Sequence, residues 1–269
     1  MTKTPSSPPA HPTAGLAQVQ KYFRDSAAAR YEAVDHLGFT ACFHPASAEP
    51  SFSYAIPGPG AAREQVREFV AWHREECRRR GRQVRFEFIE GFAPWLCEEL
   101  DGLGLARLET NILMSLGKDS FKPAPAVAGC TLETGTAHAP APFLREVMAV
   151  QGYAFGGAPV TPSLEDAEGF RKGLGESFLA LARSESGPLS ASCLMTPVGG
   201  LAEVAGVATV PEARQRGLGS WVSSACVQEA WRRGVECVVL TAGSARAGRV
   251  YEGLGFGLLG QAVAYGERS

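Results

Sequence analysis

Ala202-Glu203-Val204-Ala205-Gly206-Val207-Ala208-Thr209-Val210-Pro211-Glu212-Ala213-Arg214-Gln215-Arg216-Gly217-Leu218-Gly219-Ser220 is the stretch on which the reading of this chain turns. Small and β-branched residues through Val210 read as a strand. Pro211 has no N–H to donate and cannot extend a central strand. Two arginines and two glycines follow, then apolar positions Leu218, Trp221, Val222, Ala225, Cys226 and Trp231 at helical spacing. A strand, a basic glycine-containing loop and a helix start together make an anion site. The first-turn N–H groups lack intrahelical partners, and the helix dipole favours negative charge there. Gly217 and Gly219 let an anion approach the backbone, and Arg214 and Arg216 add positive charge.

The Walker pattern requires a Lys-Ser/Thr pair after the second glycine, and the Rossmann pattern a third glycine where Val222 stands; neither is met. What remains is Arg214-x-x-Gly217-x-Gly219. Downstream, Val235 to Leu240 reads as a buried strand, followed by Ser244-Ala245-Arg246-Ala247-Gly248-Arg249-Val250-Tyr251-Glu252-Gly253-Leu254-Gly255-Phe256. The loop resembles the Gln/Arg-x-x-Gly-x-Gly/Ala loop of the GNAT superfamily of acyl-CoA-dependent N-acetyltransferases. The second segment resembles that family's Asn-x-x-Ala-x-x-hydrophobic-Tyr-x-x-x-Gly-Phe helix, with Ala247, Tyr251, Gly255 and Phe256 matching and Ser244 standing where Asn is usual. The resemblance covers residues from about 125 to 269.

The resemblance implies an α/β fold with a mixed, twisted sheet and helices on both faces, and acetyl-CoA as co-substrate. The pantetheine arm would pair with the first strand in the manner of an added β-strand, along the backbone of Val207, Ala208 and Thr209. An N–H near Thr209 or Val210 would polarise the thioester carbonyl, and the pyrophosphate would rest on amides of Gln215, Arg216, Gly217, Leu218, Gly219 and Ser220. Ser244 is a further candidate cofactor contact. Tyr251 is the candidate general acid for the departing thiolate; a merely packed aromatic is the plainer alternative. Glu203, eleven residues before Arg214 as in histone acetyltransferase members, is the candidate base; an ordinary carboxylate at a strand start is the alternative. In a regular strand its side chain shares a face with Ala205, Val207 and Thr209.

The chain has 269 residues, 45% hydrophobic and 20% charged, with a formal net charge of −2. That suits a soluble globular protein and gives no global field toward nucleic acid or anionic membrane. Seven scattered cysteines without a C-x-x-C pair point to reduced thiols and a cytoplasmic location, and no Cys/His spacing points to a metal. No signal peptide or bilayer-spanning run is evident. Arg78-Arg79-Arg80-Gly81-Arg82 reads as a solvated helix end rather than a nucleic-acid site.

Residues 1–14, rich in Pro, Ser and Thr, read as a disordered tail. Helices are expected at 16–34, 61–80 and 94–100, strands at 39–43, 52–56, 83–89 and 105–116, and a linker at 118–125. In the second half, strands are expected at 127–134, 178–182, 189–195, 202–210, 235–241 and 258–265, and helices at 142–153, 163–173, 218–234 and 245–254. Ser163 and Asp166 have capping-box spacing.

Asp101-Gly102-Leu103-Gly104-Leu105 mirrors Glu252-Gly253-Leu254-Gly255-Phe256, and Val84 to Ile89 falls on Val235 to Leu240 at the same offset of 151. This points to a diverged repeat: a degenerate GNAT-like domain at 15–120 and a GNAT acetyltransferase domain at 121–269, in tandem. Tyr251 maps onto Leu100, and Pro57-Gly58-Pro59-Gly60 has lost the loop pattern, so the first copy is expected to be structural or a substrate-side wall. The leading expectation is an acyltransferase acting on a primary amine of a small molecule or peptide, as a pseudo-dimeric monomer or a homodimer. A non-catalytic acyl-CoA-binding regulatory module and a partner-binding protein are the alternatives.

Overall fold

A computed structural model describes residues 14–45 and 47–267. The tail expected at 1–14 lies, apart from Ala14, outside the described residues. The first half runs α1 (Leu16–Ala28), β1 (Glu32–His36), β2 (Phe39–Phe43), β3 (Ser53–Pro57), α2 (Val66–Arg80), β4 (Arg85–Ile89), α3 (Pro94–Gly102) and β5 (Leu105–Gly117). The second runs β6 (Thr131–Gly135), α4 (Ala141–Gly156), α5 (Leu164–Leu174), β7 (Phe178–Ser184), β8 (Gly187–Leu194), β9 (Leu201–Thr209), α6 (Leu218–Arg232), β10 (Cys237–Ala242), α7 (Ala245–Gly253) and β11 (Gly257–Glu267). The helix expected at 16–34 stops at Ala28. Its last residues form β1, which turns onto β2 through Leu37 and Gly38, both at positive φ. Two successive positive-φ residues make the tight turn that suits twisted strands, and a non-glycine at the first of them hides the signal. Ser163 and Asp166 close the capping box: each one's side chain accepts the other's backbone N–H.

The eleven strands among the described residues form one mixed sheet in the order β1-β2-β3-β4-β11-β5-β10-β9-β8-β7-β6. The last strand of each half crosses into the other. β5 pairs antiparallel with β10, and β11 pairs antiparallel with β4, while β5 and β11 pair with each other at the centre. The matching elements recur near the offset read from the sequence: α3 begins at Pro94 and α7 at Ala245, 151 residues apart.

The two sheet faces are covered differently. Leu113, Leu201 and Val239 pack with Val19 and Tyr22 of α1 on one face. Met114, Leu116, Val238 and Leu240 point the other way, into a core shared with Val222 and Cys226 of α6 and Tyr251 of α7. Alternation along the strands assigns each residue its face. The 118–125 segment is held in place: the Lys122 N–H donates to the Leu254 carbonyl at 2.9 Å, and the Ala124 N–H to Ser224 Oγ at 3.1 Å. The basic run ending α2 is paired with carboxylates, Arg78 with Glu75, Arg79 with Glu76, and Arg80 with Glu76 and Glu32.

Candidate active site

β9 and β10 run parallel only through Leu201–Cys237, Ala202–Val238 and Glu203–Val239, then part. Beyond that point β9 is held on its other edge by β8, and β10 by β5. The result is a V-shaped gap with one backbone edge of each strand left open. A bulge at Gly206, where φ is positive, interrupts β9; Gln151 Nε2 of α4 donates to the Gly206 carbonyl at 2.9 Å. The extra residue inverts the alternation. Glu203 and Ala205 face a cavity on the α1 side, whereas Val207 and Thr209 approach Gly219 at the start of α6. The four do not share a face, as a regular strand would require.

The Val210 N–H donates to the Leu189 carbonyl at 3.0 Å, and the Ala208 carbonyl accepts from Ser190 Oγ at 2.6 Å. Both groups are therefore turned toward β8, and alternate residues of an antiparallel ladder turn the opposite way. Of Val207, Ala208, Thr209 and Val210, only Val207 and Thr209 offer backbone groups to the gap. Thr209, not Val210, is the candidate thioester donor.

From Pro211 to Gly217 the loop after β9 is exposed apart from Ala213. A single 3-10 turn, Pro211–Ala213, leads to Gln215 at φ 66° and Gly217 at φ 84°. Gly217 is the N-cap of α6 and has no side chain to satisfy the first amides. Among the described residues, none of the N–H groups of Gln215, Arg216, Gly217, Leu218, Gly219 and Ser220 donates to a backbone carbonyl outside the helix, while Trp221 already reaches Gly217. Unpaired amides at the N-terminus of a 15-residue helix form a candidate anion cradle. Arg214 braces the loop instead of reaching outward: its guanidinium donates to the carbonyls of Thr209 at 3.2 Å and Ala154 at 3.3 Å. Arg216 lies 3.7 Å from Cys130 Sγ.

Ser244 is the N-cap of α7, and its hydroxyl accepts the Ala247 N–H at 3.2 Å. That helix-capping bond accounts for the residue without a cofactor contact. Tyr251 is 8% exposed, edge-on to Phe256, and burial raises its hydroxyl to about 12. No hydrogen-bond partner for that hydroxyl occurs among the described residues. Tyr251 and Glu203 lie on opposite faces of the sheet.

The cavity on the α1 side has a volume of about 440 Å³. Glu203 and Ala205 reach it from β9 and Thr241 from β10, but most of its wall comes from the first half, including Arg30, Tyr31, Tyr54 and Glu87. Burial, reinforced by the charge of Glu87 and opposed by Arg30, raises Glu203 to about 7. Tyr22 Oη accepts the Glu203 N–H at 2.9 Å and fixes that stretch of β9. The first-half residues were not singled out from the sequence. The available signal was the alternation Arg85-Phe86-Glu87-Phe88, which puts two charges on one strand face. In the first half's own loop several amides are already bonded, Gly58 to the Gly38 carbonyl, Ala61 to Gly58 and Gln65 to Ala62, and Pro57 and Pro59 have no N–H to give.

Residues 178–264 match the family described as FR47-like protein. A GCN5-related N-acetyltransferase from Kribbella flavida superposes with a TM-score of 0.78 at 22% identity, over 96% of this chain and 97% of that one. The chain has the GNAT fold. A tandem GNAT protein from the clavulanic acid biosynthesis pathway matches at TM-score 0.63 and 16% identity, over 84% of this chain and 77% of that one. A GCN5-related N-acetyltransferase from Sphaerobacter thermophilus matches at 0.61 and 18%, over 85% and 76%. No curated protein matches the sequence. The GNAT fold is one that supports acyl transfer, and the parted strands and open amides lie in its second half. Among the described residues no group of three or more His, Cys, Asp or Glu side chains could hold a metal, and no helix is long and apolar enough to cross a membrane.

Proposed function

We propose that the protein transfers an acetyl group from acetyl-CoA to a primary amine by direct attack in a ternary complex. The observation that carries this reading is the parting of β9 and β10 beside an unpaired amide cradle, with Glu203 at the point of divergence. The diphosphate of acetyl-CoA rests on Gln215 to Ser220 and its arm lies along Val207 and Thr209. Glu203 takes a proton from the ammonium form of the acceptor. The freed nitrogen attacks the thioester carbon while the Thr209 N–H steadies the developing oxyanion. A preorganised donor of this kind contributes about 3–4 kcal/mol. The C–S bond breaks, the thiolate takes the Tyr251 proton, and the second amine proton restores Tyr251 by way of solvent. One acetamide, one CoA thiol and one released proton balance the reaction.

The first half is a degenerate GNAT copy in this reading: it has lost the amide cradle and serves as acceptor wall. One chain thus holds a pseudo-dimeric arrangement, acts on a small molecule in the cytoplasm, and engages neither nucleic acid nor membrane. The test is CoA release, followed with a thiol reagent, across a panel of primary amines. Turnover that requires both acetyl-CoA and amine is the expected result. Tight acetyl-CoA binding with no turnover on any amine would favour the non-catalytic module instead.

A further inference from the structure

The charged groups of the α1-side cavity divide into those that satisfy one another and those that do not. Arg85 is closed on both sides, by Glu87 at 2.6 Å and Glu109 at 2.8 Å. Arg30 and Glu203 are left. Arg30 Nε donates to the Ser26 carbonyl at 3.0 Å, and its guanidinium lies 5.3 Å from the centre of the Tyr31 ring. Those two contacts orient the fork. No carboxylate pairs with Arg30 among the described residues, and its two terminal nitrogens have no partner there. Glu203 likewise has no ion-pair partner among them. The two charges influence one another but do not meet.

A guanidinium and a carboxylate that line one cavity without pairing leave a gap that a molecule with both charges would fill. A planar guanidinium matches a carboxylate with two parallel hydrogen bonds. A volume of about 440 Å³ is within the range of small-molecule sites. We propose that the acceptor is a small zwitterion, an amine that also carries a carboxylate, held with its carboxylate on Arg30 and its amine toward Glu203. A polyamine fits this cavity poorly, because its second cation would face Arg30. Tyr31 and Tyr54, edge-to-face at 6.2 Å, supply an aromatic wall beside the carboxylate end.

This assignment rests on the acetyl-transfer reading, and the experiment separates the two. The probes are the proteinogenic L-amino acids, each beside its C-terminal amide, titrated calorimetrically into the full chain with CoA present and assayed in parallel for CoA release. At least one amino acid is expected to bind ten- to a hundredfold tighter than its amide. Arg30→Gln should abolish that ratio by weakening the acid alone and leaving acetyl-CoA affinity unchanged, and Arg30→Lys should restore part of it. If no amino acid binds tighter than its amide, or if Arg30→Gln leaves the ratio intact, the assignment is wrong. If Arg30→Gln fails to fold, the wild-type ratio decides alone. Selective binding of acids without CoA release would overturn acetyl transfer but not the zwitterion site; CoA release indifferent to the carboxylate would do the reverse.

Discussion

Glu203 is half-buried, faces a cavity shared with Glu87, and is raised by burial from 4.5 to about 7. As a base it acts when ionised, so kcat/KM should climb as pH passes about 7. Glu203→Gln should lower kcat/KM by roughly 10²–10⁴-fold and flatten that limb of the profile. The same shift bears on stability. The folded protein keeps this proton between pH 4.5 and about 7 while the unfolded chain has lost it, so stability falls as pH rises through that window. Relative to wild type, Glu203→Gln should therefore gain melting temperature between pH 5 and pH 8, measured by calorimetry. Tyr251, raised to about 12, stays protonated across the working range and can donate throughout it. Tyr251→Phe should lower kcat by about 10²-fold with the KM for acetyl-CoA unchanged, which steady-state kinetics would separate.

At the scale of single elements, the end of α7 explains a motif residue that the family pattern alone does not. Gly255 has φ 97°, and a Cβ added there would overlap the Ser120 carbonyl, where the connection between the halves passes. Its counterpart Gly104 also has positive φ, 83°, but a Cβ there meets nothing within 4 Å. Gly104→Ala should cost about 1–2 kcal/mol from backbone conformation alone. Gly255→Ala adds a collision with backbone and should cost roughly 3 kcal/mol or more. Equal losses in denaturant unfolding would show that the connection moves aside freely. The bulge in β9 belongs to the same scale. One added residue at Gly206 turns Val207 and Thr209 away from the Glu203 side, so the proposed base and the proposed arm-binding backbone are set by a local kink and not by a regular strand.

For the molecule as a whole, the exchange of β5 and β11 is decisive. Residues 121–269 alone would lack β5, the antiparallel partner of both β10 and β11. Residues 1–120 alone would lack β11, whose Val263 and Tyr265 belong to the first half's core. Each fragment would expose unpaired strand edges. Expressed singly, each half should be insoluble or unfolded by circular dichroism; expressed together, they should form a soluble complex that binds acetyl-CoA. A folded, CoA-binding 121–269 fragment would contradict this. The exchange also sets the cavity, because it places β3 and β4 of one half and β9 and β10 of the other on one sheet beneath α1, so that all of them line the same space.

Much of this protein was determined by the chain's local order. Helical and alternating periodicities place most elements, and Pro211 and Gly217 mark the turn between β9 and α6, because these signals depend on neighbours in sequence; the offset of 151 recurs between the starts of α3 and α7. Other features arose only when distant segments met. β1 reads as the end of a helix because its turn lacks a glycine at Leu37, and the choice between the Thr209 and Val210 amides stays open in the sequence because strand pairing, not residue type, decides where an amide points. The cavity proposed for the acceptor lies beyond sequence reading for the same reason. Arg30, Glu87 and Glu203 acquire their roles from burial and mutual charge, and those exist only once the crossed strands bring the two halves onto one sheet.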